Sequence, residues 1–257
     1  MRKICLTVEY DGTEYCGYQM QSNVPTVQGA IESAIFKLCG ERVRTVAAGR
    51  TDAKVHALGQ VVSFFTSSSI PDERFAVALN TKLPSDIHVR RSFSVRDDFN
   101  PRFDAIGKMY RYLVCLKNED DPGECMLRNR ACIYDGALDH EEMKRACALL
   151  TGEHDFASFC SSGSSVKTTT RNVTRFELST FKDPFLGHTF LSFEVEANGF
   201  LYNMVRIMVS TVMEVGIGRL GLDEVSRILD GADRRLAPPP MPPQGLYLVK
   251  VDYDLMT

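Results

Sequence analysis

The 257-residue sequence lacks the patterns that usually signal a metal centre, a membrane anchor or a secreted protein. Its eight cysteines form no CxxC pair and its five histidines show no HxxxH spacing, so we expect no metal site and reduced thiols in the cytoplasm. No apolar run approaches the length that spans a bilayer, and the first residues have a strand pattern rather than that of a signal peptide. Nucleotide-binding motifs are missing too, and we expect no cofactor.

A net basic charge is also missing, because 30 Lys and Arg residues stand against 33 Asp and Glu residues, which gives a formal charge of −3. This balance argues against a wholly basic nucleic-acid binder and leaves room for a local basic face. One basic stretch contains Arg90, Arg91, Arg96, Arg102, Lys108 and Arg111. A second, Ser161–Phe176, has three cations and no acidic residue, and it predicts either a phosphate-facing loop or a mobile linker.

The centre of the first half is a polar loop between two short apolar runs. Val46–Ala48 and Val61–Phe65 are rich in β-branched and aromatic residues and predict strands. The loop between them carries Arg50, Thr51, Asp52, Lys54 and His56. Asp52 is the only carboxylate for many residues on either side, and neighbouring cations favour its ionised form, so it has the character of a nucleophile or a base. A solvated hairpin loop with an ordinary salt bridge would have the same composition.

The hydrophobic periodicity predicts an α+β fold. In the first half it indicates a strand, a helix, the two hairpin strands, a second helix and a strand, which is the order of a ferredoxin-like unit. The second half approximates this layout, with strands at Arg171–Phe181 and His188–Ala197, a helix at Leu201–Val215 and a last strand at Gly245–Tyr253. We therefore expect two ferredoxin-like α/β halves, residues 1–104 and 105–257, with antiparallel sheets and the active-site cleft between them.

Six segments, spread nearly from end to end of the chain, resemble the TruA family of tRNA pseudouridine synthases. The most specific is GRTDAKVHA followed by GQVVSF, since the usual family signature is GRTDAGVHA and its catalytic aspartate falls on Asp52. Lys54 replaces the usual glycine. If that glycine needs a positive φ, lysine is strained there; if it does not, Lys54 adds a cation beside the active site.

The resemblance implies roles for further residues. FNPRFDAIGKMYRY is similar to the family stretch that supplies an arginine and an active-site tyrosine, here Arg102 and Tyr110. FLYNMVR is similar to the stretch whose arginine contacts the catalytic aspartate, here Arg206. Substrate-binding roles are also expected for Arg50, Lys54, His56 and Gln19. Spacing alone favours Tyr110 and Tyr112 as core aromatics, and burial alone would allow any structural carboxylate as the partner of Arg206.

The function that this resemblance implies is an isomerase that converts uridine to pseudouridine at positions 38 to 40, in the anticodon stem-loop of tRNA. The expected partners are tRNA and a second copy of the chain, in the cytoplasm, with no membrane or metal. A second hypothesis is a non-catalytic RNA-binding protein, although the RRM signature is absent. A third is a hydrolase with an aspartate nucleophile, which would need a metal or a second acid near Asp52.

Overall fold

The chain divides into two compact units in the computed structural model, which describes residues 1–117, 124–163, 167–185 and 187–254. The first unit comprises Met1–Ile106 and the chain from Tyr247 onward, and the second is Gly107–Leu246. The predicted division into halves at residues 104 and 105 stays a prediction. The last strand differs from the expectation, because we placed it in the second half and it belongs to the first unit.

Ten strands and six helices are present in the described part of the chain. The strands are β1 Arg2–Tyr10, β2 Val46–Ala47, β3 His56–Thr66, β4 Ile87–Val95, β5 Ala105–Leu116, β6 Cys132–Tyr134, β7 Gly152–Asp155, β8 Thr170–Lys182, β9 Thr189–Ala197 and β10 Leu246–Tyr253. The helices are α1 Val27–Cys39, α2 Phe75–Asn80, α3 Glu124–Leu127, α4 His140–Leu149, α5 Met204–Gly216 and α6 Leu222–Asp230.

Local sequence signals account for β1 and α1. The four apolar residues that alternate along β1 are all buried, namely Ile4, Leu6, Val8 and Tyr10. Helix α1 begins after Thr26, whose side chain accepts a hydrogen bond from the Gly29 amide, and ends at Gly40 in the left-handed conformation with φ 74°. Both boundaries lie where the capping residues predicted them.

The first unit is built on a sheet in the order β4–β1–β3, with antiparallel neighbours. The other edge of β3 pairs with β2 at Val62 and Ser63, and with β10 in parallel at His56 and Ala57. Gly59 lies inside β3. A Cβ there would stand 2.4 Å from the Val249 carbonyl oxygen, so the close approach of β10 requires glycine.

The second unit contains the order β5–β9–β8–β7, with antiparallel pairs and with β6 in parallel beside β5. Helix α5 is buried on nearly every face, as its composition predicts. It begins three residues later than expected, because Asn203 adopts φ 62° and interrupts helical geometry. The prediction of an α+β fold with mostly antiparallel sheets is therefore confirmed.

Candidate active site

The loop between β2 and β3 presents one carboxylate between two cations. Asp52 is half-buried, whereas Arg50 and Lys54 are exposed. Within the described ranges, the guanidinium of Arg50 and the ammonium of Lys54 form no ion pair or hydrogen bond with another side chain. The loop therefore presents two positive charges to solvent beside Asp52, an arrangement suited to an anionic substrate.

The conformation of Lys54 answers the question that the sequence left open. Its φ is 65°, in the left-handed region that glycine adopts without strain and other residues avoid. The turn is closed by a hydrogen bond of 3.2 Å from the Val55 amide to the Asp52 carbonyl. Lysine at this position therefore costs on the order of 1 kcal/mol in backbone strain.

The first loop of the chain, residues 11–25, packs through its backbone against the loop that carries Asp52. The Tyr18 amide donates to the Thr51 carbonyl at 3.0 Å, and the Lys54 amide donates to the Tyr15 carbonyl at 3.2 Å. Two glycines make this approach possible. A Cβ on Gly12 would lie 2.1 Å from the Val55 carbonyl oxygen, and one on Gly17, whose φ is 97°, would lie 2.9 Å from the Thr51 oxygen. The position of Asp52 thus depends on both loops.

Thr51, next to Asp52, forms a side-chain hydrogen bond with Tyr10, a contact that the sequence analysis missed. The Tyr10 Oη and Thr51 Oγ1 atoms are 2.7 Å apart in the buried interior. Burial raises the pKa of Tyr10 to about 12, so its hydroxyl stays neutral. The one feature of the sequence that could have indicated this contact is the position of Tyr10 at the end of β1, directly before the Asp-Gly pair that begins the first loop.

His56 lies in the interior rather than on the surface of the loop. Its side chain is 2% exposed, and its ring stacks on Tyr247 of β10 with centroids 4.7 Å apart. Nδ1 accepts a hydrogen bond from the Gly12 amide at 3.0 Å and lies 3.2 Å from Asp11 Oδ1. These contacts join the two loops to the sheet, which favours a positioning role over the predicted contact with substrate.

Among the polar and aromatic residues of the first loop, only some face solvent. Tyr15 is 8% exposed and its hydroxyl donates to Asp86 Oδ1 at 2.7 Å, and Tyr18 is 3% exposed. Their rings are therefore part of the core and are not available to stack on a base. Gln19 is half-buried beside Tyr18, and its predicted role in binding stays a prediction.

In the second unit, the two tyrosines of β5 have different surroundings. Tyr112 is fully buried, and its hydroxyl donates to the Pro242 carbonyl at 2.7 Å, which is a structural contact. Tyr110 is 8% exposed, and its ring meets Phe200 edge to face at a centroid distance of 5.0 Å. Both tyrosines are core residues, as spacing predicts, and only Tyr110 retains some solvent exposure.

Arg206 lies in the first turn of α5 and is half-buried rather than enclosed. Its Nε donates to the Met241 carbonyl at 2.6 Å, and its Nη1 donates to Asn203 Oδ1 at 2.6 Å. These bonds fix the orientation of the guanidinium relative to the start of the helix. The predicted pairing of Arg206 with Asp52 stays a prediction.

Several cations of the two basic stretches are neutralised by neighbouring carboxylates. Arg175 lies within 3.5 Å of Glu177, Glu194 and Glu196. Arg111 pairs with Glu194 at 2.6 Å. Arg102 is exposed, and its guanidinium lies over the Phe103 ring. The basic residues still available to an anionic ligand are therefore fewer than the sequence count indicates.

Known proteins match this chain at the level of family, relatives and solved structures. A family model described as tRNA pseudouridine synthase matches residues 6–104 and 146–254. Proteins called tRNA pseudouridine synthase A from Acetivibrio thermocellus and Caldicellulosiruptor bescii are 47% and 46% identical over 98% of this chain and their whole length. A chain in a crystal structure of a Cbf5–Nop10–Gar1 complex matches 82% of this chain with 45% of its own, at 16% identity and a TM-score of 0.33.

Two features are absent from the residues that the structure describes. No helix among them has the length and hydropathy needed to cross a membrane. Nor do those residues include a group of three His, Cys, Asp or Glu side chains that could hold a metal ion.

Proposed function

The chain belongs to the tRNA pseudouridine synthase family, and we propose that it acts on the anticodon stem-loop of tRNA, at positions 38 to 40. Membership makes it an isomerase that forms pseudouridine in tRNA. The assignment to the anticodon arm rests on the resemblance of the catalytic loop and the other segments to TruA proteins.

The reaction rearranges one nucleotide without a net change in its atoms. The bond from uracil N1 to the ribose C1′ breaks, the base turns, and C5 bonds to C1′ in its place. The proton on C5 leaves and N1 gains a proton, so neither an oxidant nor an energy source is consumed. The target base must leave its stack first, which costs a few kcal/mol.

Asp52 is the group we assign to this chemistry, as nucleophile or base. The observation that carries the assignment is the placement of Asp52. It is half-buried, lies in a tight turn held by the first loop, residues 11–25, and is flanked by two exposed cations. Arg50 and Lys54 would contact phosphates or the position that the flipped base leaves. Tyr110 would stack on the flipped base, and Arg206 would keep Asp52 ionised. Arg102 and Gln19 would contact RNA outside this centre, and His56 would position the loop.

Asp52→Asn in the full chain tests the assignment, with release of tritium from bulk tRNA labelled at uridine C5. We expect wild type to release tritium, and Asp52→Asn to release none while its tRNA affinity stays within a few-fold, since only one charge changes. Substantial turnover by Asp52→Asn would exclude it as the reacting group. Binding without tritium release by wild type would favour a non-catalytic RNA-binding protein instead.

We also propose that the protein is a homodimer in the cytoplasm, because TruA relatives are dimers. Light scattering at several concentrations measures this, and a mass of one chain at all of them would contradict it.

A further inference from the structure

A turn in the first unit, residues 100–104, is closed by its own polar groups. Asn100 Oδ1 accepts hydrogen bonds from the amides of Arg102 and Phe103, at 2.9 Å and 3.4 Å. The Asp104 amide donates to the Asn100 carbonyl at 3.0 Å, and Asp104 Oδ2 accepts from the Asn100 amide at 2.9 Å. An Asx turn of this kind holds the backbone of these residues in one conformation.

The same turn is anchored to β10. Pro101 is buried, and its carbonyl accepts a hydrogen bond from the Tyr253 hydroxyl at 2.8 Å. Phe99, just before the turn, is 3% exposed, and its ring centroid lies 5.2 Å from that of Tyr253. The residues on either side of the turn's tip are thus held by packing and hydrogen bonds, so the tip has a fixed direction.

Two side chains at this tip point to solvent and form a pair. Phe103 is 75% exposed, and the Arg102 guanidinium carbon lies 5.4 Å from the centre of its ring. The Arg102 guanidinium donates no hydrogen bond and forms no ion pair within the part of the chain that the structure describes. A single exposed phenylalanine is common on protein surfaces. An exposed ring on a rigid turn, beside an arginine without a carboxylate partner, is a less ordinary combination.

We propose that Arg102 and Phe103 form a stacking platform for an unpaired base of the RNA substrate, with the Arg102 guanidinium on a neighbouring phosphate. Unpaired bases bind proteins by stacking on aromatic rings, and arginine adds charge and a planar face. The rigid turn means that little conformational entropy is lost on binding. The proposal rests on the proposed function, because it takes the occupant to be RNA, and it adds Phe103 to the substrate contacts.

The test compares two exposed phenylalanines. Phe103→Ala and Phe103→Trp are measured beside Phe185→Ala, a control whose side chain is 87% exposed near the end of β8. The measurements are the Kd for an unmodified tRNA transcript and the tritium-release rate at saturating enzyme. We expect Phe103→Ala to weaken binding by about 5- to 100-fold, Phe103→Trp to retain it, and Phe185→Ala to stay within two-fold. The saturated rate of Phe103→Ala should change less than its Kd.

The salt dependence separates the ring from the charge. Phe103→Ala should keep the wild-type slope of log affinity against log salt concentration. Arg102→Gln should make that slope shallower by about one, the change expected when one phosphate contact is lost. The proposal is wrong if Phe103→Ala binds tRNA like wild type, or if Phe185→Ala loses as much affinity as Phe103→Ala. It is also wrong if Phe103→Ala changes the association state of the protein and leaves its RNA affinity unchanged. If wild type releases tritium and Phe103→Ala binds normally, only the platform fails; if wild type releases none, the proposed function fails.

Discussion

At the scale of single residues, Lys54 has a strained backbone and an exposed charge beside Asp52. A φ of 65° is unfavourable for lysine, and the usual family residue, glycine, would remove the strain. Strain at such a place points to a functional hypothesis, since a residue that costs stability persists more easily when its side chain is used. The predicted use is a contact between the Lys54 ammonium and an RNA phosphate.

We therefore expect Lys54→Gly to raise the free energy of unfolding and to weaken tRNA binding at the same time. The gain in stability should be about 0.5–1 kcal/mol, because the relief of strain exceeds the entropic cost of glycine. The affinity for tRNA should fall a few-fold. The slope of log affinity against log salt concentration should become shallower by about one, because one phosphate contact is lost. Chemical denaturation and binding titrations measure the two effects.

Two control variants separate the backbone from the charge at this position. Lys54→Gln keeps the strain and loses the charge, so it should lose affinity without gaining stability. Lys82→Gln removes an exposed lysine elsewhere in the first unit and should change neither. If Lys54→Gly and Lys54→Gln both bind tRNA like wild type, Lys54 has no part in recognition.

At the scale of elements, the packing of the first loop, residues 11–25, against the loop that carries Asp52 depends on Gly17. We expect Gly17→Ala to lower the free energy of unfolding by about 2–4 kcal/mol, because it adds both left-handed strain and a Cβ clash with Thr51. Activity at a temperature where the variant is folded should fall by about 10- to 100-fold, since Thr51 and Asp52 must shift.

Gly40→Ala is the matched control for Gly17. Gly40 has φ 74° at the end of α1, and a Cβ there meets nothing within 4 Å. It should therefore lose about 1 kcal/mol of stability and no activity. A Gly17→Ala enzyme with full activity when folded would show that the first loop does not set the position of Asp52.

The tyrosines of β5 give a second prediction at this scale. Tyr112→Phe should lower the free energy of unfolding by about 1 kcal/mol, through loss of the bond to the Pro242 carbonyl, with kcat within two-fold of wild type. Tyr110→Ala should lower activity by roughly 10- to 100-fold, through loss of stacking on the flipped base. Thermal melts and tritium release test both, and a reversed order of activities would assign the substrate contact to Tyr112.

Local signals predicted most elements, and contacts between distant segments account for the differences. The bounds of β1, α1 and β4 follow from alternation and capping within a few residues of each. The burial of His56 could not be seen in this way, because it depends on β10, which is far along the chain and pairs in parallel. The same holds for the bond from Tyr10 to Thr51, which joins two segments that have no common sequence pattern.

At the scale of the whole molecule, the net charge says little about where RNA binds. Arg111 and Arg175 are paired with carboxylates, whereas Arg50, Lys54 and Arg102 face solvent without such partners among the described residues. All three of these solvent-facing cations lie in the first unit, in the loop that carries Asp52 and in the turn at residues 100–104.

Binding of tRNA should consequently be strongly sensitive to salt in spite of the acidic composition. If about five phosphates are contacted, affinity should fall by a few hundred-fold between about 50 and 200 mM salt. Arg50→Gln should reduce this dependence, and Arg175→Gln should leave it unchanged. A flat response in wild type, or equal effects of the two variants, would place the RNA-binding charges elsewhere.

The place of β10 in the first unit also has a consequence for biosynthesis. A ribosome completes the loop that carries Asp52, with the rest of residues 1–106, long before it makes Tyr247, on which His56 stacks. Nascent domains usually fold as contiguous units while translation proceeds. Here the first unit is complete only once β10 has been made, so a translation product that stops before β10 would contain Asp52 and lack Tyr247, on which the nearby His56 stacks.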